Sequence, residues 1–177
     1  SVQAHHVSKL PSTFSPTKVV VFHQISDSIE GWADAVGAII NSYFVGGGVW
    51  PQYEGWSVTF DYSLIRPAGA LIAGQFKAPG PKGLEKAIEK IRGLIEKRLV
   101  SDAFKTDGFA GKLRPIDVYD IVMHIGDSVL SGGIRRSATI SLFSYDDIEM
   151  MSAKTGKWFT ENPQRARSNN SVILVRD

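Results

Sequence analysis

Residues 132–170, GGIRRSATISLFSYDDIEMMSAKTGKWFTENPQRARSNN, hold a strand, a helix start and a donor-rich approach to a second strand in one stretch. Within it, 138–143 is β-branched and aromatic enough for a strand, and Ser144-x-x-Asp147 caps a short helix. Residues 171–175 then read as a closing strand. Chemistry concentrates at the two flanks. Gly132 and Gly133 free the backbone ahead of Ile134, Arg135, Arg136 and Ser137, and the later flank gathers Arg165, Arg167, Ser168, Asn169 and Asn170. Glycines allow close backbone approach and guanidinium groups give planar, multi-donor contact, a combination suited to phosphate and a planar base. A glycine helix C-cap with surface arginines also accounts for the first flank, and a solvated turn with a charge pair for the second.

Upstream, the same alternation continues. Residues 19–22 form a strand-like run, and Asp27-Ser28-Ile29-Glu30 offers a helix start. Trp32, Val36, Ile39, Ile40 and Tyr43 then keep helical spacing for about four turns until Gly46-Gly47-Gly48. Residues 57–62 predict a strand and 66–69 a turn. The Gly/Pro-rich stretch 74–83 feeds a helix whose core face is Leu84, Ile88, Ile91, Ile95 and Leu99. That loop could cradle an anion at the helix N-terminus, but it lacks the closing Gly-Lys-Ser/Thr of a P-loop, and an ordinary turn explains it. Residues 101–114 are a polar connection, and Pro115 opens a third helix to about Leu130, with Asp117 and Asp120 near its positive dipole end. Strands alternating with helices predict an α/β fold.

Composition bounds the function. The chain has 177 residues, 43% hydrophobic, enough for one sizeable core, and 20 basic against 18 acidic residues leave a charge of only +2. Bulk nucleic-acid binding by charge alone is not indicated. Cysteine is absent, so this chain by itself forms no disulfide, thiolate metal site, cysteine nucleophile or thiyl radical. No apolar run reaches the ~20 residues of a membrane span and no signal pattern opens the chain. A soluble, cytoplasmic protein without a membrane partner is expected. The start at Ser1 without Met and the stop at Asp177 after a strand-like run read as cut ends. His5 and His6 are sequence neighbours that would point to opposite faces of a strand, and His23 and His124 have no partner at ligand spacing. No metal site is assigned, and no acid/base pair or Ser-His-Asp set stands out.

Six runs taken together resemble the adenosylcobalamin-dependent (class II) ribonucleotide reductases, especially the monomeric ribonucleoside-triphosphate reductase type. They are FDYSLIRPAGA at 60–70, APGP at 78–81, IDVYDI at 116–121, IGD at 125–127, GIRRSA at 133–138 and SNNSV at 168–172. The match is strong from about residue 57 onward and looser before. The resemblance implies part of a ten-stranded α/β barrel with an N-terminal insertion-like helix and strand region. It divides the chain into 1–56, insertion-like with an effector-site helix, and 57–177, the first part of the barrel.

It further implies a segment of a radical enzyme converting ribonucleotide to deoxyribonucleotide. In that family cleavage of the Co–C bond makes a thiyl radical that activates the ribose 3′ position, and a cysteine pair supplies electrons. Gly132, Gly133, Ile134, Arg135, Arg136 and Ser137 look like the loop that relays effector identity to the substrate base. Effector contacts would come from Asp61, Ser63 and Arg66, with Lys77 or Lys82 for phosphate. Helices at 28–44 and 115–130 would line the effector site. Arg165, Arg167, Asn169 and Asn170 are substrate-side candidates. Implied partners are a ribonucleoside triphosphate, a deoxynucleoside triphosphate effector, the rest of the polypeptide and a thioredoxin-like reductant. The family's radical and reducing cysteines and its Asn-Pro-Cys-Gly-Glu segment are missing here, so the isolated chain is expected to be inactive, with no catalytic residue of its own and no cofactor-binding residue. The competing reading is a non-enzymatic nucleotide- or RNA-binding module using Arg165, Arg167 and Trp158.

Overall fold

A computed structural model describes residues 20–44, 49–72, 74, 76–102, 106–108, 111–129 and 138–174. They are mixed α/β and divide into two compact units, one drawn from residues up to Arg66 and from Ile88 to Leu113, the other from Pro67 to Ala87 and from Arg114 onward.

In the first unit, β1 (Val20–Gln24) and β2 (Ser57–Asp61) pair in parallel, Val20 opposite Ser57 through Gln24 opposite Asp61. Parallel neighbours need a crossover, and α1 (Ile29–Ser42) lies within it. Ser28 is its N-cap, its hydroxyl accepting from Gly31 N at 3.0 Å. The buried stripe of α1 is Gly31, Ala35, Ala38, Ile39 and Ser42, continued by Tyr43. The expected Trp32, Val36 and Ile40 are only half-buried. Small residues win this face because they admit close approach: an added Cβ on Gly31 would run into the Ser26 hydroxyl and carbonyl. The later part of α2 (Lys82–Val100) belongs here too, with Ile88, Ile91 and Ile95 buried as expected. Arg92 Nη2 donates to the Val58 carbonyl at 2.7 Å, and Tyr43 Oη donates to Glu96 Oε1 at 2.7 Å. Arg98, buried where the apolar pattern offers Leu99, pairs with Asp107 at 2.8 Å and donates to the Lys112 carbonyl.

In the second unit a two-residue antiparallel ladder joins β3 (Leu71–Ile72) to β4 (Phe76–Lys77), the latter inside the stretch 74–83 expected as plain loop. Gly80, at φ +72°, closes on Ala68, whose N would sit 2.8 Å from any added Cβ. α3 (Pro115–Ser128) starts at proline, and Asp117 Oδ2 accepts from Arg114 N at 2.9 Å. β5 (Thr139–Ser144) and β6 (Ser168–Ile173) pair in parallel, Thr139 opposite Ser168. Between them come α4 (Ile148–Ser152), capped by Asp147, then α5 (Trp158–Glu161) and a 3-10 turn over Pro163–Arg167. Ile116, Tyr119, Met123, Met150 and Ala153 form the core, with Phe143 packed against it. β6 starts at Ser168 rather than 171 because its polar first residues complete the ladder with β5.

Candidate functional site

At the carboxyl ends of β1 and β2 the first unit collects polar side chains, the position where open parallel sheets bind ligands. Asp61 ends β2; its Oδ1 accepts from Ser63 N at 2.9 Å and its Oδ2 from Gln24 Nε2 at 3.1 Å. The Ser63 amide, above all, holds this exposed carboxyl below its ordinary value. Arg66 donates to Asp27 just before α1. Asp61, Ser63 and Arg66 therefore share one region. Lys77, on β4, and Lys82, opening α2, are exposed and belong to the second unit.

The substrate-side candidates lie in the second unit around β6. Arg165 grips Asp120 of α3 with Nε to Oδ1 at 2.8 Å and Nη2 to Oδ2 at 2.6 Å, and its Nη1 donates to the Ala153 carbonyl at 2.7 Å. The pair is 13% and 10% exposed, and its bidentate hydrogen bonding, ahead of the opposing effect of burial, raises the arginine's pKa further. Arg167 Nε donates to Asp127 Oδ1 at 2.6 Å, near the end of α3. Asn170 turns inward and Asn169 is exposed. The four candidates thus divide into Arg165 and Asn170, which turn inward, Arg167, half-exposed on Asp127, and Asn169, which faces outward. The six residues Gly132, Gly133, Ile134, Arg135, Arg136 and Ser137 lie outside the described residues, as do His5, His6 and Gly46–Gly48.

Sequence reasoning missed several participants. Tyr119, Gln164 and Ser141 join the β6 cluster, with Gln164 Nε2 donating to Asp120 Oδ1 at 3.1 Å. Their partners in the cluster are 27 to 51 positions away in the chain, a range no local spacing rule reaches. The complementary charge of Asp120 and Arg165 was the one visible signal. His23 Nδ1 lies 2.7 Å from the Tyr53 hydroxyl and its ring meets Tyr53 and Phe60 edge-on. No group of three or more His, Asp or Glu able to hold a metal ion occurs among the described residues. Among them, too, no helix is long and apolar enough to cross a membrane.

No family model matches the chain. It is similar to the adenosylcobalamin-dependent ribonucleoside-triphosphate reductase of Lactobacillus helveticus, 32% identical over 156 residues that make up 88% of this chain and 19% of the relative. The protein of the same name from Lactobacillus leichmannii is 30% identical over 155 residues, 87% of this chain and 19% of that one. A probable adenosylcobalamin-dependent ribonucleoside-triphosphate reductase of Dictyostelium discoideum is 30% identical over 154 residues, 84% and 18% of the two chains. Among solved structures, a crystal structure of a B-12 dependent (class II) ribonucleotide reductase gives a TM-score of 0.66 at 28% identity, covering 86% of this chain and 19% of that one. The chain spans about a fifth of the length of the relatives it matches.

Proposed function

This chain is homologous to one segment of the adenosylcobalamin-dependent (class II) ribonucleotide reductases, and from that relationship we propose that it serves such a reductase as the part that binds the effector and selects the substrate. The observation that supports placing this segment in a larger barrel is a pair of parallel sheets left open. Among the described residues each has two strands, and each leaves apolar side chains open, Phe22 at 74% on one and Ile140 and Leu142 at 62% and 59% on the other. Parallel sheets are ordinarily covered on both faces, and two strands do not stand alone. A ten-stranded α/β barrel of the reductase type would supply the missing strands and cover. In that frame 1–56 is an insertion-like region with an effector-site helix and 57–177 the first part of the barrel.

The proposed reaction converts a ribonucleoside triphosphate to its deoxy form by a radical route in the complete enzyme, with a thioredoxin-like reductant. Adenosylcobalamin supplies the radical when bound. This chain has no cysteine to carry that radical, so no radical step is assigned to its residues. This segment's part is selection. Asp61 and Ser63 offer acceptors for a deoxynucleoside triphosphate's sugar, and Arg66, paired with Asp27, lies at the same strand ends; Lys77 and Lys82 are the candidate phosphate contacts. Gly132–Ser137 form the specificity loop, Arg135 or Arg136 making the contact on the base side. Arg165 and Asn170 hold β6 from within, Arg167 pairs with Asp127 at the surface, and Asn169 faces the substrate.

Turnover of the complete polypeptide with pairs of substrate and effector tests this. Arg135→Ala is expected to shift the effector-dependent substrate ratio by about tenfold while altering the maximal rate less. Unchanged pairing contradicts the reading. The RNA-binding alternative is disfavoured because Arg165 and Arg167 are already engaged by carboxylates and Lys154 lies over the Trp158 ring. Titration with a short single-stranded RNA separates the two, since submicromolar binding with steep salt dependence would support the alternative.

A further inference from the structure

On the β5–β6 pair polar groups turn inward beside Phe143, while Ile140 and Leu142 lie open. Ile140 and Leu142 turn outward, while Ser141, Ser168 and Asn170 turn toward α3. Tyr119, 5% exposed, brings its hydroxyl to 3.0 Å from both Ser168 Oγ and Asn170 Oδ1. Ser168 Oγ donates to Asn170 Oδ1 at 2.7 Å, and Ser141 Oγ lies 3.4 Å from Ser168 Oγ. A phenylalanine with apolar strand partners would fill this space with no hydrogen-bonding demand. A satisfied buried network gains nothing over such packing in stability, but it admits a single geometry.

That geometry is a register. β6 opens with Ser168-Asn169-Asn170-Ser171, a polar run whose hydrophobic pattern does not distinguish one pairing from a slip by one residue. A slip would exchange Asn170 for Asn169 on the inner face and turn the other asparagine outward. Tyr119 contacts positions 168 and 170 together, two residues of one strand face, and a slip by one residue would turn both away from it. Asp120, the next residue of α3, grips Arg165 just upstream. We propose that Tyr119 is a positioning residue of the nucleotide-selecting site, locking the register of β6 so that the exposed Asn169 amide meets the nucleotide. This rests on the assignment of Asn169 to the substrate side.

The test is a double-mutant cycle in the complete reductase polypeptide. Asn169→Ala is expected to raise the KM for the ribonucleoside triphosphate by about 3–10-fold, the value of one hydrogen bond. Tyr119→Phe removes one oxygen and should raise KM by a similar factor with kcat within about twofold, the double variant being no worse than the larger single. Ser168→Ala carries the same expectation if Tyr119→Phe does not fold. Tyr119→Phe with unchanged KM, or effects that multiply in the double variant, overturns the positioning role while leaving Asn169 in place. Unchanged KM in Asn169→Ala overturns the substrate-side assignment and this inference with it.

Discussion

Arg165 has Nε, Nη1 and Nη2 all engaged inside the second unit, on Asp120 and on the Ala153 carbonyl. Removing it leaves a carboxylate at 10% exposure without its counter-ion. Arg165→Ala is therefore expected to lower unfolding stability by about 3–5 kcal/mol in urea titration, with Arg165→Lys intermediate because it keeps the charge but not the fork. A loss near zero would mean the pair is solvated. His23 behaves oppositely, because burial pushes its imidazole below the ordinary value and Asp34 offsets this only in part. As pH falls the unfolded chain takes up the proton first, so stability is full above about pH 6.5 and declines from there toward the lower folded pKa. His23→Gln should flatten the stability profile over that window; an unchanged slope would assign the dependence elsewhere.

At the scale of elements, α2 shows how much spacing alone can tell. Leu84, Ile88, Ile91 and Ile95 were legible as a core face because they recur every three or four residues, and all four are buried. α1 was legible as a helix and in Ile39 and Tyr43 of its buried face, while alanines and Gly31 fill the rest of that stripe and carry little hydrophobic signal. β6 was legible only from Ser171, because asparagine is a poor strand former and Asn169 and Asn170 are held there by a β5 ladder 29 positions upstream. The site followed the same rule: residue types announced Arg165 and Arg167, while their carboxylate partners were fixed by tertiary packing. Glycines give a paired test within α2. Gly83→Ala would place a methyl 2.7 Å from the Ser128 carbonyl of α3, whereas Gly93→Ala meets nothing within 4 Å. Thermal unfolding should show the first destabilised by about 1–3 kcal/mol and the second stabilised by about 0.5–1 kcal/mol. Equal effects would contradict the packing of α2 on α3.

For the molecule as a whole, two parallel pairs with open apolar faces and a chain without cysteine point the same way. Among the described residues both parallel pairs leave an apolar face uncovered, and the proposed radical chemistry needs thiols that this chain does not carry. Homology to about a fifth of class II reductases agrees with both. The most direct measurement is deoxynucleotide formation by the complete polypeptide, supplied with adenosylcobalamin and a dithiol, for each ribonucleoside triphosphate with and without each deoxynucleoside triphosphate. Cofactor-dependent reduction whose preferred substrate changes with the effector is the result expected. Absence of deoxynucleotide product, or a substrate preference indifferent to every effector, would contradict the assignment of this segment to nucleotide selection.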